Sequence, residues 1–157
     1  MRIGIGYDSH RFAADRPLIL GGVNIPHSHG LTGHSDADAV AHAIADALLG
    51  AAVLGDIGQL YPDTDPAHRG ADSMKILADV ARRVRQAGWD VNNVDVTVMV
   101  EQPKLAPHAA AMRDAIGRAL DADARVISIK AKTNEGMGFV GRGEGVAVIA
   151  VASLTPL

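Results

Sequence analysis

Two spacings of apolar residues run along this chain. The first is strict alternation. Val94, Val96, Val98 and Val100 fall on one side and Asp95, Thr97 and Met99 on the other, which predicts a strand with one dry and one mixed face over 91–100. Residues 126–131 read as a further strand. Residues 145–152 read as the last, apolar on both faces like a strand in a sheet covered on both sides. A first strand is predicted over 2–8, delivering Asp8 and His10 at its end. The extended stretch 17–26 is broken by Gly21 and Gly22 into hairpin-like pieces, followed by a solvated loop carrying His27 and His29.

The second spacing is helical. Ser35 and Asp38 have the separation of a capping box, so a helix is predicted to start there and to run to about Leu54-Gly55. It is rich in alanine and flanked by Val, Ile and Leu, and so should be buried nearly all round. Asp38, His42 and Asp46, at i, i+4 and i+8, form a polar stripe along it. Asp72 or Ser73 can cap a second helix closed by Gly88. In it Leu77, Val80, Ala81 and Val84 face inward, and Lys75, Arg82, Arg83 and Arg85 form a solvated face. Pro107 opens a third helix with Met112, Ile116 and Leu120 as its apolar stripe. The predicted architecture is an α/β (α+β) single domain over 1–157, a mixed sheet with three helices on one face. If helices cover one side, the doubly apolar last strand points to a subunit interface covering the other.

Composition narrows the chemistry. With 157 residues, 48% hydrophobic, the chain can bury a real core, and a net charge of −3 argues against a nucleic-acid-binding surface. There is no cysteine, so any metal must sit on His and carboxylate ligands. The start does not resemble a signal peptide and no 18-residue apolar stretch is present; a cytoplasmic protein without membrane contact is expected. Aromatic residues make up only 3%, leaving a core of small side chains that stands to gain from burial against copies of itself.

Asp8 and His10, at i and i+2 of a strand, share a face; His42 adds a second imidazole from a buried helix. Two His and one acid are the ligand set of an open zinc site, although a lone buried His also reads as a satisfied core residue. Asp46 is a partner for His42 or a substrate contact. The helix start beside His34 and Ser35 offers free N–H groups to an anion, most simply a phosphate. Gly136-x-Gly138-x-x-Gly141 matches a dinucleotide fingerprint in letters only, because an apolar strand follows it and not a helix. Lys132, Thr133 and Glu135 sit at a strand end, where Glu135 reads either as a carrier of Mg²⁺ or Mn²⁺ on a diphosphate or as an ordinary loop glutamate.

Asp8-Ser9-His10, His34-Ser35-Asp36-Ala37-Asp38, the helix through His42, Asp56-Ile57-Gly58, Tyr61-Pro62-Asp63-Thr64-Asp65 and Gly138 to Gly145 occur in an order and spacing that resemble the 2-C-methyl-D-erythritol 2,4-cyclodiphosphate synthases, across essentially the whole chain. The resemblance implies a homotrimer with active sites between subunits, and 4-diphosphocytidyl-2-C-methyl-D-erythritol 2-phosphate as substrate. It implies Zn²⁺, or another divalent ion, on Asp8, His10 and His42, and Mg²⁺ or Mn²⁺ at Glu135, bridging the phosphates. His34 and Thr133 match positions that stabilise the transition state. Asp8, His10, His34, Ser35, Asp46, Asp56, Ile57 and Gly58 match substrate contacts, and Tyr61, Pro62, Asp63, Thr64 and Asp65 a flexible lid. Val100, Glu101, Gln102, Pro103, Lys104, Leu105 and Ala106, with Ala131, Lys132, Thr133 and Asn134, match the nucleotide pocket; at Lys132 the backbone is the expected contact. Phe139 and Arg142 match the lining of a central cavity that holds an isoprenoid diphosphate in some members. A cytidylyltransferase fused to some members finds no room in 157 residues, so a monofunctional protein is expected. Two rivals stand beside this reading: a zinc phosphohydrolase using the same ligands on water, and a non-catalytic trimeric metal- or isoprenoid-binding module.

Overall fold

Two glycines decide how the main layers meet. The computed structural model describes residues 1–157, and its longest strand, β1 (Arg2–Ala14), lies directly under helix α1 (Ala39–Ala52). A Cβ placed on Gly4 would stand 2.0 Å from the Ala47 carbonyl oxygen, and one on Gly6 1.9 Å from that of Ala43. Helix backbone therefore rests on strand backbone, with Ala43, Ala47 and Ala51 in the seam, a closeness that only residues without a side chain permit. Period-2 alternation then places Asp8 and His10 on the same face as Gly4 and Gly6, under the helix.

The remaining strands are β2 (Leu18–Leu20), β3 (Val23–Ile25), β4 (His29–Leu31), β5 (Trp89–Met99), β6 (Ile127–Lys132) and β7 (Gly145–Pro156). The five-stranded sheet has the order β4-β1-β7-β5-β6; β5 and β6 pair in parallel and the other pairs are antiparallel. Helices α2 (Ile57–Leu60), α3 (Ser73–Gln86), α4 (Ala109–Leu120) and α5 (Gly138–Gly141) complete the chain. The inward sets Leu77, Val80, Ala81, Val84 and Met112, Ile116, Leu120 are all buried, as the helical spacing predicts. No helix is long and apolar enough to cross a membrane.

Three local expectations are corrected. β1 does not end at residue 8: β7 pairs it from Arg2 to Arg11, and β4 takes over from Phe12 to Ala14, so Asp8 and His10 sit in mid-strand. The pairing with β4 also places His29 in a strand and not in a loop. The capping box from Ser35 is not used. Asp38 is the N-cap of α1, accepting from Ala41 N at 3.0 Å, and its carboxylate also takes Gly21 N at 2.9 Å and Gly22 N at 2.7 Å. Those two glycines form the two-residue turn of the β2–β3 hairpin, both with positive φ. Asp38 thus pins the hairpin to the helix start, and burial pushes its carboxyl upward against the pull of three N–H donors.

The opposite face of the sheet carries an apolar stripe. Tyr7 pairs with Ile149 and Ile5 with Val151, and Ile3, Ile5 and Tyr7 are 66%, 69% and 56% exposed.

Candidate active site

Asp8 and His10 rise from β1, and His42 meets them from the first turn of α1. Asp8 Oδ2 lies 2.8 Å from His10 Nε2 and 3.1 Å from His42 Nδ1. The ligand-competent atoms of the three residues all lie within 4.8 Å of one another.

The outer nitrogen of each ring is already committed. His10 Nδ1 stands 2.7 Å from the Thr32 carbonyl oxygen, which only accepts, so this nitrogen carries a proton. His42 Nε2 stands 2.8 Å from Ser73 Oγ, and the one Ser73 proton goes to the Asp36 carboxylate; His42 Nε2 must then donate. In the neutral rings both inner nitrogens turn lone pairs toward Asp8. Three acceptors aimed at one point repel each other unless a metal ion or a proton lies among them. The titration of the site responds to that convergence. Burial alone would raise the Asp8 carboxyl, but the pull of His10 and His42, when a proton sits on the nitrogen facing it, outweighs burial and holds it below the ordinary value. Burial would lower His10, yet the Asp8 carboxylate beside it, with the Thr32 carbonyl, raises it. Two imidazoles and one carboxylate with fixed outer bonds are a donor set that fits Zn²⁺ or another divalent ion with positions left open.

The triad lies in a cleft of about 280 Å³, walled by His34, Ser35, Ile57, Gly58, Tyr61, Asp63 and His68 among others. A wider hollow of about 530 Å³ shares Gly33, His34, Ser35 and Asp63 with it and adds Arg16, Thr64 and Arg69; no hydrophobic residue lines it. Arg16 donates to the carbonyls of Gly33, at 3.3 Å, and Ser35, at 3.1 Å, holding the 33–35 segment against the cleft. Positive charge for a phosphate therefore comes from arginines. At the start of α1 the buried Asp38 carboxylate takes the N–H of Ala41.

His34 Nε2 lies 3.3 Å from the Asp65 carbonyl oxygen, and its own carbonyl accepts from Gly70 N at 2.8 Å, so His34 is tied to the 61–70 loop at two points. Tyr61 anchors the loop by donating its hydroxyl proton to Asp79 on α3, and its ring meets His68 edge-on at 5.4 Å; Pro62, Asp63 and Thr64 are exposed between these ties. Asp46 Oδ1 accepts from Ile57 N at 2.8 Å, and Asp56 caps α2 through Gln59 N at 2.9 Å, which fixes the turn carrying Gly58 at the cleft.

The second group of sequence-predicted residues comes together elsewhere. Val100 N donates to the Lys132 carbonyl at 2.9 Å and Glu101 Oε1 accepts from Asn134 N at 2.6 Å, so segments 100–106 and 131–134 form one surface. Thr133 Oγ1 accepts from Glu135 N at 3.3 Å, leaving the Glu135 carboxylate exposed. None of these residues lines the cleft that holds the triad. The register puts Asp8, Val148, Val98 and Ala131 in one row across the sheet, three strand spacings or about 14 Å from end to end. Phe139 does reach a shallow hollow beside His10 and Arg11, while Arg142 pairs with Glu144 at 2.8 Å. Sequence reasoning missed Arg16, Asp36, Ser73 and Asp79, because each acts through a partner distant in the chain.

Fold and site define a small α+β protein with a metal-competent His₂Asp centre at the floor of a polar cleft. The model of the YgbB family matches residues 1–155, and the chain belongs to this family, whose curated members similar to it are 2-C-methyl-D-erythritol 2,4-cyclodiphosphate synthases. The synthase of Bordetella petrii is 58% identical over 153 residues, covering 98% of this chain and 94% of its own. Among solved structures, the bifunctional IspDF of Campylobacter jejuni superposes with a TM-score of 0.96 at 46% identity; 99% of this chain spans 42% of that longer one. A 2C-methyl-D-erythritol-2,4-cyclodiphosphate synthase in a form with CDP bound gives a TM-score of 0.90 at 41% identity, covering 98% of this chain and all of that one.

Proposed function

We propose that this protein is the metal-dependent cyclase of the non-mevalonate isoprenoid route, taking 4-diphosphocytidyl-2-C-methyl-D-erythritol 2-phosphate to 2-C-methyl-D-erythritol 2,4-cyclodiphosphate and CMP. Membership of the synthase family supports the reaction, and the convergence of two imidazole nitrogens on the Asp8 carboxylate is the structural observation that carries it. An oxygen of the 2-phosphate attacks the β-phosphorus; the bond from that phosphorus to the oxygen bridging the α-phosphate breaks, and CMP leaves with the electron pair.

The nucleophile is already anionic near neutral pH, so no side chain has to activate it. What remains for the protein is to fold a flexible, highly charged substrate into line and to offset its charge. Asp8, His10 and His42 would hold a divalent ion, which would supply Lewis acidity to the phosphate under attack. Arg16, Arg69 and His34 bring positive charge and hydrogen-bond donors to the adjoining hollow, fitting it to the 2-phosphate. Asp46 and Asp56, through Ile57 and Gln59, hold the turn at Gly58 where the erythritol chain would lie.

The 100–106 and 131–134 surface is assigned to the cytidine, with Thr133 toward the phosphates and Glu135 carrying the second ion. A structural relative binds CDP, a ligand of that class. Because the row from Asp8 to Ala131 spans about 14 Å within one chain, a site using both surfaces is best formed between two copies. The stripe Ile3, Ile5, Tyr7, Ile149 and Val151 offers the apolar area to hold them, in a homotrimer. Phe139 and Arg142 would then face a central cavity suited to an isoprenoid diphosphate, and a cytoplasmic location fits a biosynthetic enzyme of this kind.

The test is ³¹P NMR of the protein with the cytidine-diphosphate substrate and Mg²⁺, before and after chelation. Coupled cyclic-diphosphate signals appearing together with CMP, and lost on chelation, are expected. Release of inorganic phosphate would make the protein a hydrolase.

A further inference from the structure

Both imidazoles of the His₂Asp centre are oriented from behind, but by different means. His10 is held by the backbone carbonyl of Thr32 at 2.7 Å. His42 is held by side chains: its Nε2 lies 2.8 Å from Ser73 Oγ, and Ser73 in turn gives its hydroxyl proton to the Asp36 carboxylate. We propose that Ser73 and Asp36 are positioning residues for the metal centre, a hydrogen-bonded chain Asp36–Ser73–His42 that fixes the tautomer and ring plane of His42. This rests on the metal reading of the preceding section.

The two shortest contacts, Ser73 to Asp36 and Ser73 to His42, favour one assignment. A serine hydroxyl has one proton and two lone pairs. With its proton on Asp36, Ser73 meets His42 only as an acceptor, so His42 is protonated on Nε2 and its Nδ1 lone pair is left for Asp8's side of the site. Ser73 is 1% exposed, so water does not compete for its hydroxyl. Asp36 is itself braced. Its second oxygen accepts from Ser73 N at 3.2 Å, its first from Asp38 N at 3.2 Å, and its own N–H is given to the Ala71 carbonyl at 3.1 Å. The chain thus joins the first residue of α3 to the approach of α1, and the relative placement of two helices becomes the orientation of one ring. Ser35 Oγ also lies 3.2 Å from His42 Nε2, but it accepts from Ala37 N at 3.1 Å and stands farther off than Ser73. A carboxylate at the end of the chain strengthens the serine oxygen as an acceptor. That holds the ring more firmly in the Nε2–H form, the orienting effect that a carboxylate behind a metal-bound histidine has generally.

The experiment compares the full-length wild type with Ser73→Ala and Asp36→Asn. Zinc alone is the probe, titrated against a chromogenic chelator, and long-range ¹H–¹⁵N correlation of the histidine rings reports the tautomer before metal is added. Expected are a single Nε2–H form of His42 in the wild type and mixed tautomers in Ser73→Ala. The zinc affinity of Ser73→Ala should fall about 10- to 100-fold. Asp36→Asn keeps an oxygen for Ser73 but loses the charge, so a smaller fall is expected. It disturbs no buried hydroxyl, and it carries the test alone should Ser73→Ala not fold. Zinc affinities within about twofold of wild type, with His42 still wholly Nε2–H, would overturn the proposal. A wild type that takes up no zinc would remove the metal reading, and this proposal with it.

Discussion

The cleft around Asp8 and the surface around Glu135 are built on opposite terms. In the cleft nearly every polar group is spent on a neighbour in the same chain: His10 on Thr32, His42 on Ser73, Ser73 on Asp36, Asp46 on Ile57. Only the lone pairs converging on Asp8 are left over. On the surface formed by 100–106 and 131–135 the backbone is tied, through Glu101 and Asn134, but Lys104, Lys132, Thr133 and Glu135 turn exposed side chains outward. One region is internally satisfied. The other turns its side chains to solvent, and under the proposed trimer a second copy docked on the bare apolar face would bring the two regions together.

The sharpest way to break that comparison is to damage each half in separate molecules. His42→Ala should lose zinc and turnover; removing several kcal/mol of charge stabilisation corresponds to about a thousandfold or more in rate. Glu135→Gln should slow turnover about 10-fold or more and alter its Mg²⁺/Mn²⁺ dependence. Unfolded together and refolded as mixed trimers, the two impaired proteins should give more activity than the same amounts left unmixed, with about a quarter of sites drawing an intact half from each neighbour. Steady-state assays of the mixture decide it. No recovery in mixed trimers verified by mass would place both halves in one subunit.

Packing gives the next contrast. Gly6→Ala would put a methyl 1.9 Å from the Ala43 carbonyl oxygen, so α1 must move off β1; a loss of about 3 kcal/mol or more is expected, with weakened zinc binding, since Asp8 and His42 meet across that seam. Gly136→Ala meets nothing within 4 Å and suffers only from its φ of +74°, a loss of about 1 kcal/mol. Chemical denaturation compares them directly. Equal losses would mean that the seam relaxes freely.

These contrasts also mark what the sequence could tell. Asp8 and His10 were legible because a strand puts i and i+2 on one face whatever its length, so misjudging the end of β1 did no harm. The valine alternation in β5 and the stripes of α3 and α4 were legible for the same reason: periodicity survives small errors of boundary. Ser35 and Asp38 misled, because a capping box is a local pattern and Asp38 is claimed by Gly21 and Gly22, 17 and 16 residues away. Ser73 was visible only as one of two candidate caps. Once Asp72 takes that task, through Met74 N at 2.9 Å, the Ser73 hydroxyl is free for His42, and only the approach of α3 to α1 reveals it. The apolar second face was legible in β7, since both of its sides read as covered while only one has helices.

The smallest effect expected lies where the loop over the cleft is tied down. Tyr61 donates to Asp79, which also accepts from Arg82 and Arg83. Burial, reinforced by the bond to Asp79, pushes the Tyr61 phenol up from 10.0 to about 12. Burial alone would raise Asp79, but Tyr61 and the two arginines outweigh it and hold its carboxyl well below the carboxylate range. The signs separate the two groups. A raised phenol contributes stability that is complete below pH 10 and lost as pH climbs toward about 12. A lowered carboxyl contributes stability present above its ordinary 3.8 and lost as pH falls below that value. Tyr61→Phe removes the first dependence entirely and leaves much of the second, because both arginines stay. Near neutral pH the change should cost about 1 kcal/mol, small because the cluster is partly exposed, and the loop should open more often above the cleft. Urea melts at about pH 3, 7 and 11 test it: the wild type should lose stability at both ends and Tyr61→Phe mainly at the acid end. An alkaline loss equal in the two proteins would show that the Tyr61 phenol is not what titrates, and that the loop hangs on His34 and Asp65 instead.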